Sequence, residues 1–190
     1  NAFAITTLAI VMALILKVWN EQFGRQIFSF FIKYITLIGT LLISALIFFF
    51  DKSTFVSETI NDLLTNRIQL SYDAVQKYGI KLFGQAINWV GGAIYFEKEY
   101  VDYNYVDSSY MQIMLSYGIV LLTAIIVGYY LIGRMIVKEK AWYLGLVIIL
   151  SAVHSTFDPQ LMWIQYNVYF LTLGYLFIPD KEKRRQYLFG

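Results

Sequence analysis

Residues 111–132 read MQIMLSYGIVLLTAIIVGYYLI, a stretch without a single Asp, Glu, Lys or Arg. At about 1.5 Å of rise per residue, a helix of that length covers roughly the 30 Å of hydrocarbon in a bilayer. Four further runs meet or approach the same length, at residues 2–19, 34–50, 141–157 and 161–178. The sequence therefore predicts an all-α fold, a polytopic membrane helical bundle of about five transmembrane helices with a partly helical extracytoplasmic loop.

If these runs are spans, every Lys and Arg outside residues 51–110 falls on one side of the bilayer. The ten are Lys17, Arg25, Lys33, Arg134, Lys138, Lys140, Lys181, Lys183, Arg184 and Arg185. The positive-inside rule makes that side cytoplasmic. The chain then divides into two transmembrane helices over 1–50, an extracytoplasmic loop over 51–110, three transmembrane helices over 111–178 and a cytoplasmic tail over 179–190. Trp19, Trp142, Tyr143 and Trp163 lie near the ends of the runs, as interfacial aromatics should. Pro159 falls in the turn between the last two runs, where it breaks no helix.

Composition supports the membrane assignment and excludes several chemistries. The 190 residues are 58% hydrophobic and 18% aromatic, with a mean hydropathy of +0.57, outside the range of an ordinary soluble domain. There is no cysteine, hence no disulfide, thiolate metal site or cysteine nucleophile, and a single His makes a His-based metal site unexpected. The net charge of +2 conceals a split, because residues 51–110 carry five basic and eight acidic side chains. The basic surplus is an orientation signal and not a nucleic-acid footprint. No phosphate-binding glycine loop or hydrolase nucleophile elbow is present. The chain opens at Asn1 directly into apolar sequence, which reads as the carboxy-terminal part of a larger polytopic protein.

The loop of about 60 residues is too long for a plain connector. Its first part has helical periodicity: with Ile60 at zero and 100° per residue, Leu63, Leu64 and Ser71 fall within about 60° of it. Arg67 falls at about 340°, on the apolar face, where a guanidinium needs a partner. Lys77 and Lys81 follow at i,i+4 spacing, and with Arg67 they compose a candidate cradle for a pyrophosphate or other anionic head group. The bland alternative for the lysines is snorkelling or pairing with Asp62, Asp73 or lipid phosphate. Tyr95, Tyr100, Tyr103 and Tyr105 make the later loop tyrosine-rich.

Two more groups face the same compartment. His154 and Asp158 are four apart at the end of the fourth run, so a helix continuing to the turn would let the carboxylate orient the imidazole as a base. Residues 106–110, Val-Asp-Ser-Ser-Tyr, enter the third run; Asp107 or Ser108 is expected to cap it, and a segment so placed can also hold a sugar hydroxyl. Gln165 and Asn167 are expected to hydrogen-bond between helices.

The ordered set Asn66-Arg67-Ile68, Leu82-Phe83-Gly84, Val106-Asp107-Ser108-Ser109-Tyr110-Met111, Leu115-Ser116-Tyr117-Gly118-Ile119 and the late His154 resembles the carboxy-terminal half of Wzy-type oligosaccharide repeat-unit polymerases, relatives of O-antigen ligases. The likeness is strongest over residues 60–178. It implies a metal-independent, cofactor-free glycosyltransferase of capsule or exopolysaccharide synthesis, multi-pass in the bacterial cytoplasmic membrane and active on its extracytoplasmic face. The implied partners are an undecaprenyl-pyrophosphate-linked oligosaccharide, the lipid bilayer, a chain-length regulator and a flippase. By position, Arg67 would engage pyrophosphate and His154 would lie near the acceptor. Arg67, His154 and Asp158 are thus the catalytic candidates, with Lys77, Lys81, Asp107, Ser108 and Tyr110 as substrate-binding candidates. Members often carry Asp-Asn-Ser-Tyr or His-Asn-Ser-Tyr where this chain has Asp107-Ser108-Ser109-Tyr110. The alternatives are a ligase with a different acceptor and a polysaccharide transporter or flippase fragment.

Overall fold

The computed structural model describes residues 21–51, 53–90 and 104–162. Its regular structure there is helical throughout: α1 (Glu21–Phe48), α2 (Phe55–Leu63), α3 (Arg67–Tyr78), α4 (Ser109–Glu139), α5 (Trp142–His154) and a 3-10 turn at Pro159–Met162. The runs at 2–19 and beyond residue 162, the tail expected over 179–190, Tyr95, Tyr100, Tyr103, Gln165 and Asn167 lie outside the described residues. Among the described residues, two helical segments, Gly24–Phe48 and Ser109–Glu139, are long and apolar enough to cross a membrane.

Element boundaries differ from the sequence expectation in instructive ways. The second span was expected from residue 34, yet α1 already begins at Glu21 and carries Arg25 and Lys33 within it. Apolar run length marks where lipid begins, whereas backbone hydrogen bonding continues through exposed polar turns. The fourth run yields only a 13-residue helix, about 20 Å long, shorter than the hydrocarbon core.

The chain forms two compact units. One includes α1 up to Ile38, α4 from Ile125 and α5. Its buried positions repeat at helical spacing: Phe28, Ile32 and Ile35 on α1; Tyr129, Ile132, Gly133 and Ile136 on α4; Gly145, Ile148, Ile149 and Ala152 on α5. Two glycines permit close approach here. A Cβ on Gly133 would meet the Ile32 carbonyl, and one on Gly145 would meet the Ile32 side chain. The turn into α5 places Lys140 at φ 59°, with Lys140 and Ala141 N–H donating back to the Val137 and Ile136 carbonyls.

The other unit holds Gly39–Ala124 and Ser155–Pro159. Within it α4 is broken at Gly118 (φ 90°, ψ 172°). A break in an apolar helix strands backbone groups that lipid cannot satisfy, at several kcal/mol each. The extended segment after α3 supplies the missing partners. Ile119 and Val120 N–H donate to the Lys81 and Leu82 carbonyls (3.2 and 3.1 Å), while the Ser116 carbonyl accepts from Gln85 N–H (3.0 Å). Trp89 Nε1 donates to Ser116 Oγ at 2.9 Å beside this exchange.

The two backbones can meet so closely because both crossing residues are glycine. A Cβ on Gly118 would overlap the Leu82 carbonyl and Gly84 nitrogen; one on Gly84 would overlap Ser116 and Tyr117 backbone. Gly84 is also left-handed at φ 77°. By contrast, Gly79 ends α3 at φ 66°, ψ 167°, with nothing within 4 Å of an added Cβ.

Gly79→Ala should therefore cost the backbone strain alone, about 1–3 kcal/mol. Gly118→Ala and Gly84→Ala add a backbone collision and should lower thermal stability in detergent well beyond Gly79→Ala, as read by Trp fluorescence melting.

Candidate functional site

Arg67 owes its position to a reversal between α2 and α3. α2 ends with Thr65 N–H donating to the Asp62 carbonyl and Asn66 N–H to the Asn61 carbonyl, with Thr65 and Asn66 both left-handed (φ 54° and 61°). A left-handed β-branched residue is rare and strained. The reversal is secured by Asn61, only 4% exposed, whose Nδ2 donates to Asn66 Oδ1 (2.8 Å) and whose Oδ1 accepts from Gln69 N–H (3.0 Å). Asn61 thereby caps α3 from the preceding helix, a task that Asn66 at the N-cap position leaves undone. Arg67 follows as the first residue of α3, its carbonyl accepting from the buried Ser71 hydroxyl at 2.8 Å.

The guanidinium meets two other chain segments. Arg67 Nε pairs with Asp107 Oδ2 at 3.3 Å, and Nη1 with Asp158 Oδ1 at 3.2 Å. Nη1 also donates to the Phe157 carbonyl. The three side chains are 23%, 19% and 26% exposed in the order Arg67, Asp107, Asp158, so the pairs are partly desolvated yet reachable from outside. Among the described residues, the bonds of this guanidinium use Nε and Nη1, leaving its Nη2 edge.

Ser109 locks the remaining segments together. Its N–H donates to the Ser155 carbonyl (3.0 Å) and its hydroxyl to the Asp158 carbonyl (2.7 Å). Ser108 is the cap of α4: its carbonyl accepts from Gln112 N–H at 2.9 Å and its hydroxyl from Met111 N–H at 3.5 Å. Asp107 stands one residue before that cap, free to turn toward Arg67.

Burial pushes the Asp107 carboxyl above the usual carboxylate range; Arg67 opposes this and the neighbouring Asp158 charge adds to it. With both carboxylates ionised the cluster carries a net negative charge, and a single proton on Asp107 neutralises it. Its chemistry is therefore that of a proton-accepting site with a guanidinium attached.

The sequence candidates separate accordingly. Arg67, Asp107 and Asp158 come together. Lys77 and Lys81 do not share a helix face, because α3 stops at Tyr78 and Gly79 turns the chain; both are exposed, and Lys77 Nζ lies 5.3 Å from the Tyr78 ring centre. The single helix expected to carry Ile60 and Arg67 together is divided at residues 64–66, so Arg67 faces inward through the turn instead of through helical phase. Ser108 is buried and used in capping. Tyr110 is fully buried, with its ring against Gly39. His154 closes α5 and the residues after it leave the helix, so Asp158 does not fall on its face; the Asp158 carboxylate pairs with Arg67.

Asn61, Ser109 and the Phe157 carbonyl were missed as site components. The Thr65-Asn66 pair was the available turn signal, since Asn tolerates the left-handed region. Nothing in sequence marks which carbonyl a guanidinium will take. Among the described residues no cluster of three or more His, Cys, Asp or Glu is placed to hold a metal ion. Comparison of the chain with protein-family models, curated proteins and solved structures gives no match.

Asn61→Ala should destabilise the protein by about 1–3 kcal/mol, the cost of leaving a buried donor unsatisfied, measured by chemical or thermal unfolding in detergent. Asp107 binds its proton more tightly folded than unfolded. Wild type should thus gain stability relative to Asp107→Asn as pH falls through the raised folded pKa toward the ordinary carboxylate value, and lose it as pH rises; paired melting curves across that range check the sign.

Proposed function

We propose that this chain is a membrane glycosyltransferase that polymerises undecaprenyl-pyrophosphate-linked oligosaccharide repeat units on the extracytoplasmic face of the cytoplasmic membrane. The observation that carries this is the Arg67 guanidinium shared between Asp107 and Asp158 at the entrance to a long apolar helix. The motif resemblance to Wzy-type polymerases supplies the substrate class, and the site supplies groups suited to the chemistry.

The reaction breaks the bond between the donor sugar's anomeric carbon and the pyrophosphate oxygen and forms one to an acceptor hydroxyl. Two demands follow: the hydroxyl proton needs an acceptor, and the leaving pyrophosphate needs a cation. Asp107, whose proton affinity is raised by burial, takes the hydroxyl proton. Neutralising Asp107 removes half of the anionic hold on Arg67, whose positive charge then falls on the departing pyrophosphate. Asp158 and the Phe157 carbonyl keep the guanidinium oriented throughout. This differs from a cradle of three cations, since Lys77 and Lys81 stand apart on the exposed surface.

A transport role has one observation in its favour, the break in α4, because discontinuous helices line many substrate paths. The broken ends are occupied by the Lys81, Leu82 and Gln85 backbone. Arg67, Asp107 and Asp158 also sit outside the apolar run 111–132 instead of along it, which favours transfer. A ligase would use the same groups with a different acceptor.

Membranes containing the full chain, given a purified undecaprenyl-pyrophosphate-linked repeat unit, should produce a ladder of glycan lengths. Arg67→Lys and Asp107→Asn should each reduce it at least a hundredfold, about the contribution of one general base or charge-stabilising donor. The acid limb of wild-type activity should lie above the ordinary carboxylate range, because Asp107 must be ionised to accept a proton. A full ladder from both variants would refute the assignment.

A further inference from the structure

Helix α2 exposes an apolar stripe. At 100° per residue, Phe55, Thr59 and Leu63 form one stripe and Val56 lies beside it. Phe55, Val56 and Leu63 are 79%, 61% and 78% exposed. The opposite, inward face carries the buried amide of Asn61 and the half-buried Ser57. Thr59, on the outward stripe, donates its hydroxyl to the Phe55 carbonyl at 2.8 Å, so its polar group is satisfied without water. An exposed apolar stripe with a self-satisfied threonine, flanked on one side by the exposed carboxylates of Asp62 and Glu58, is the pattern expected of a helix lying where lipid meets water.

The connection to α1 says what covers this face. Among the described residues α1 is one of two helices long and apolar enough to cross a membrane; it ends in exposed Phe48, and exposed Phe49 follows. Only six residues separate it from α2. That link is tightened by Asp51, whose carboxylate accepts from the Ser53 N–H (2.9 Å), the Ser53 hydroxyl (2.7 Å) and the Thr54 hydroxyl (3.2 Å). A helix tethered so closely to the end of a span starts at the membrane surface, and its apolar face continues the apolar surface begun by Phe48 and Phe49. Glu58, about 100° from the centre of the stripe, is exposed at its water-facing edge.

We infer that α2 lies in the plane of the membrane interface, with Phe55, Val56 and Leu63 buried among lipid acyl chains. Because the reversal at residues 64–66 joins α2 directly to Arg67, the depth of this helix sets the height of the guanidinium above the hydrocarbon. The inference stands on the fold and not on glycosyl transfer, so a failed activity assay leaves it intact.

The absence of cysteine makes the test direct. Single variants Val56→Cys, Leu63→Cys and, as the water-facing reference, Glu58→Cys are spin-labelled in the full chain and reconstituted in phosphatidylcholine vesicles. Collision rates with oxygen and with a water-soluble nickel chelate are then compared by electron paramagnetic resonance. Labels at 56 and 63 should show a several-fold higher oxygen-to-nickel ratio than the label at 58. Nickel access at 56 and 63 equal to that at 58 would place the face in water and overturn the inference. Immobilised labels shielded from both reagents would overturn it too, by showing protein and not lipid on that face. Thr59→Cys, on the same stripe, provides the reading should either flanking variant fail to fold.

Discussion

A partly buried guanidinium must be matched by negative charge and hydrogen-bond acceptors, and in this chain that demand is met from two distant segments. Arg67 comes from the loop, Asp107 from the residue before the α4 cap, and Asp158 with the Phe157 carbonyl from the turn after α5. Ser109 closes the same junction through two bonds to residues 155 and 158. A buried ion pair is a poor source of net stability, because desolvation consumes most of the Coulombic gain. It is a strong source of register, since breaking one partner leaves an uncompensated charge. The cluster therefore specifies which loop meets which helix end.

The second constraint is the cost of bare backbone in apolar surroundings. An apolar helix cannot simply stop and restart at Gly118, so the chain folds a separate segment against the break and exchanges hydrogen bonds with both ends. Glycine at 84 and 118 is the steric condition for that exchange. Two of the short motifs on which the polymerase resemblance rests, residues 82–84 and 115–119, are the two strands of this contact. Their small-residue content thus has a backbone-packing cause within this chain, independent of any ligand.

Much of the fold was legible because it is repetitive. The uncharged run at 111–132 lies inside α4 and the apolar stretch at 34–50 falls in α1 except for its last two residues, and the buried stripes at three- and four-residue spacing follow from helical geometry. A cap at Asp107 or Ser108 was likewise readable, since that local signal has a local cause. The need of Arg67 for a partner was also readable, although the helical phase used to infer it does not exist across the turn at 64–66. The pairing of His154 with Asp158 depended on helix continuing where the chain instead bends, and the lysine cradle on a helix that glycine ends.

The sequence by itself determined that the chain is helical and rich in segments long and apolar enough for a bilayer, and that Arg67 could not stand alone. These are consequences of composition, period and the cost of desolvating charge, all of which are properties of short windows. The tertiary structure alone decided that Asp107 and Asp158 share that arginine, that Asn61 caps a helix to which it does not belong, and that residues 81–85 complete a broken helix. Each joins groups from separate elements or from segments 30 or more residues apart, and such meetings depend on how the elements pack, which no local pattern encodes.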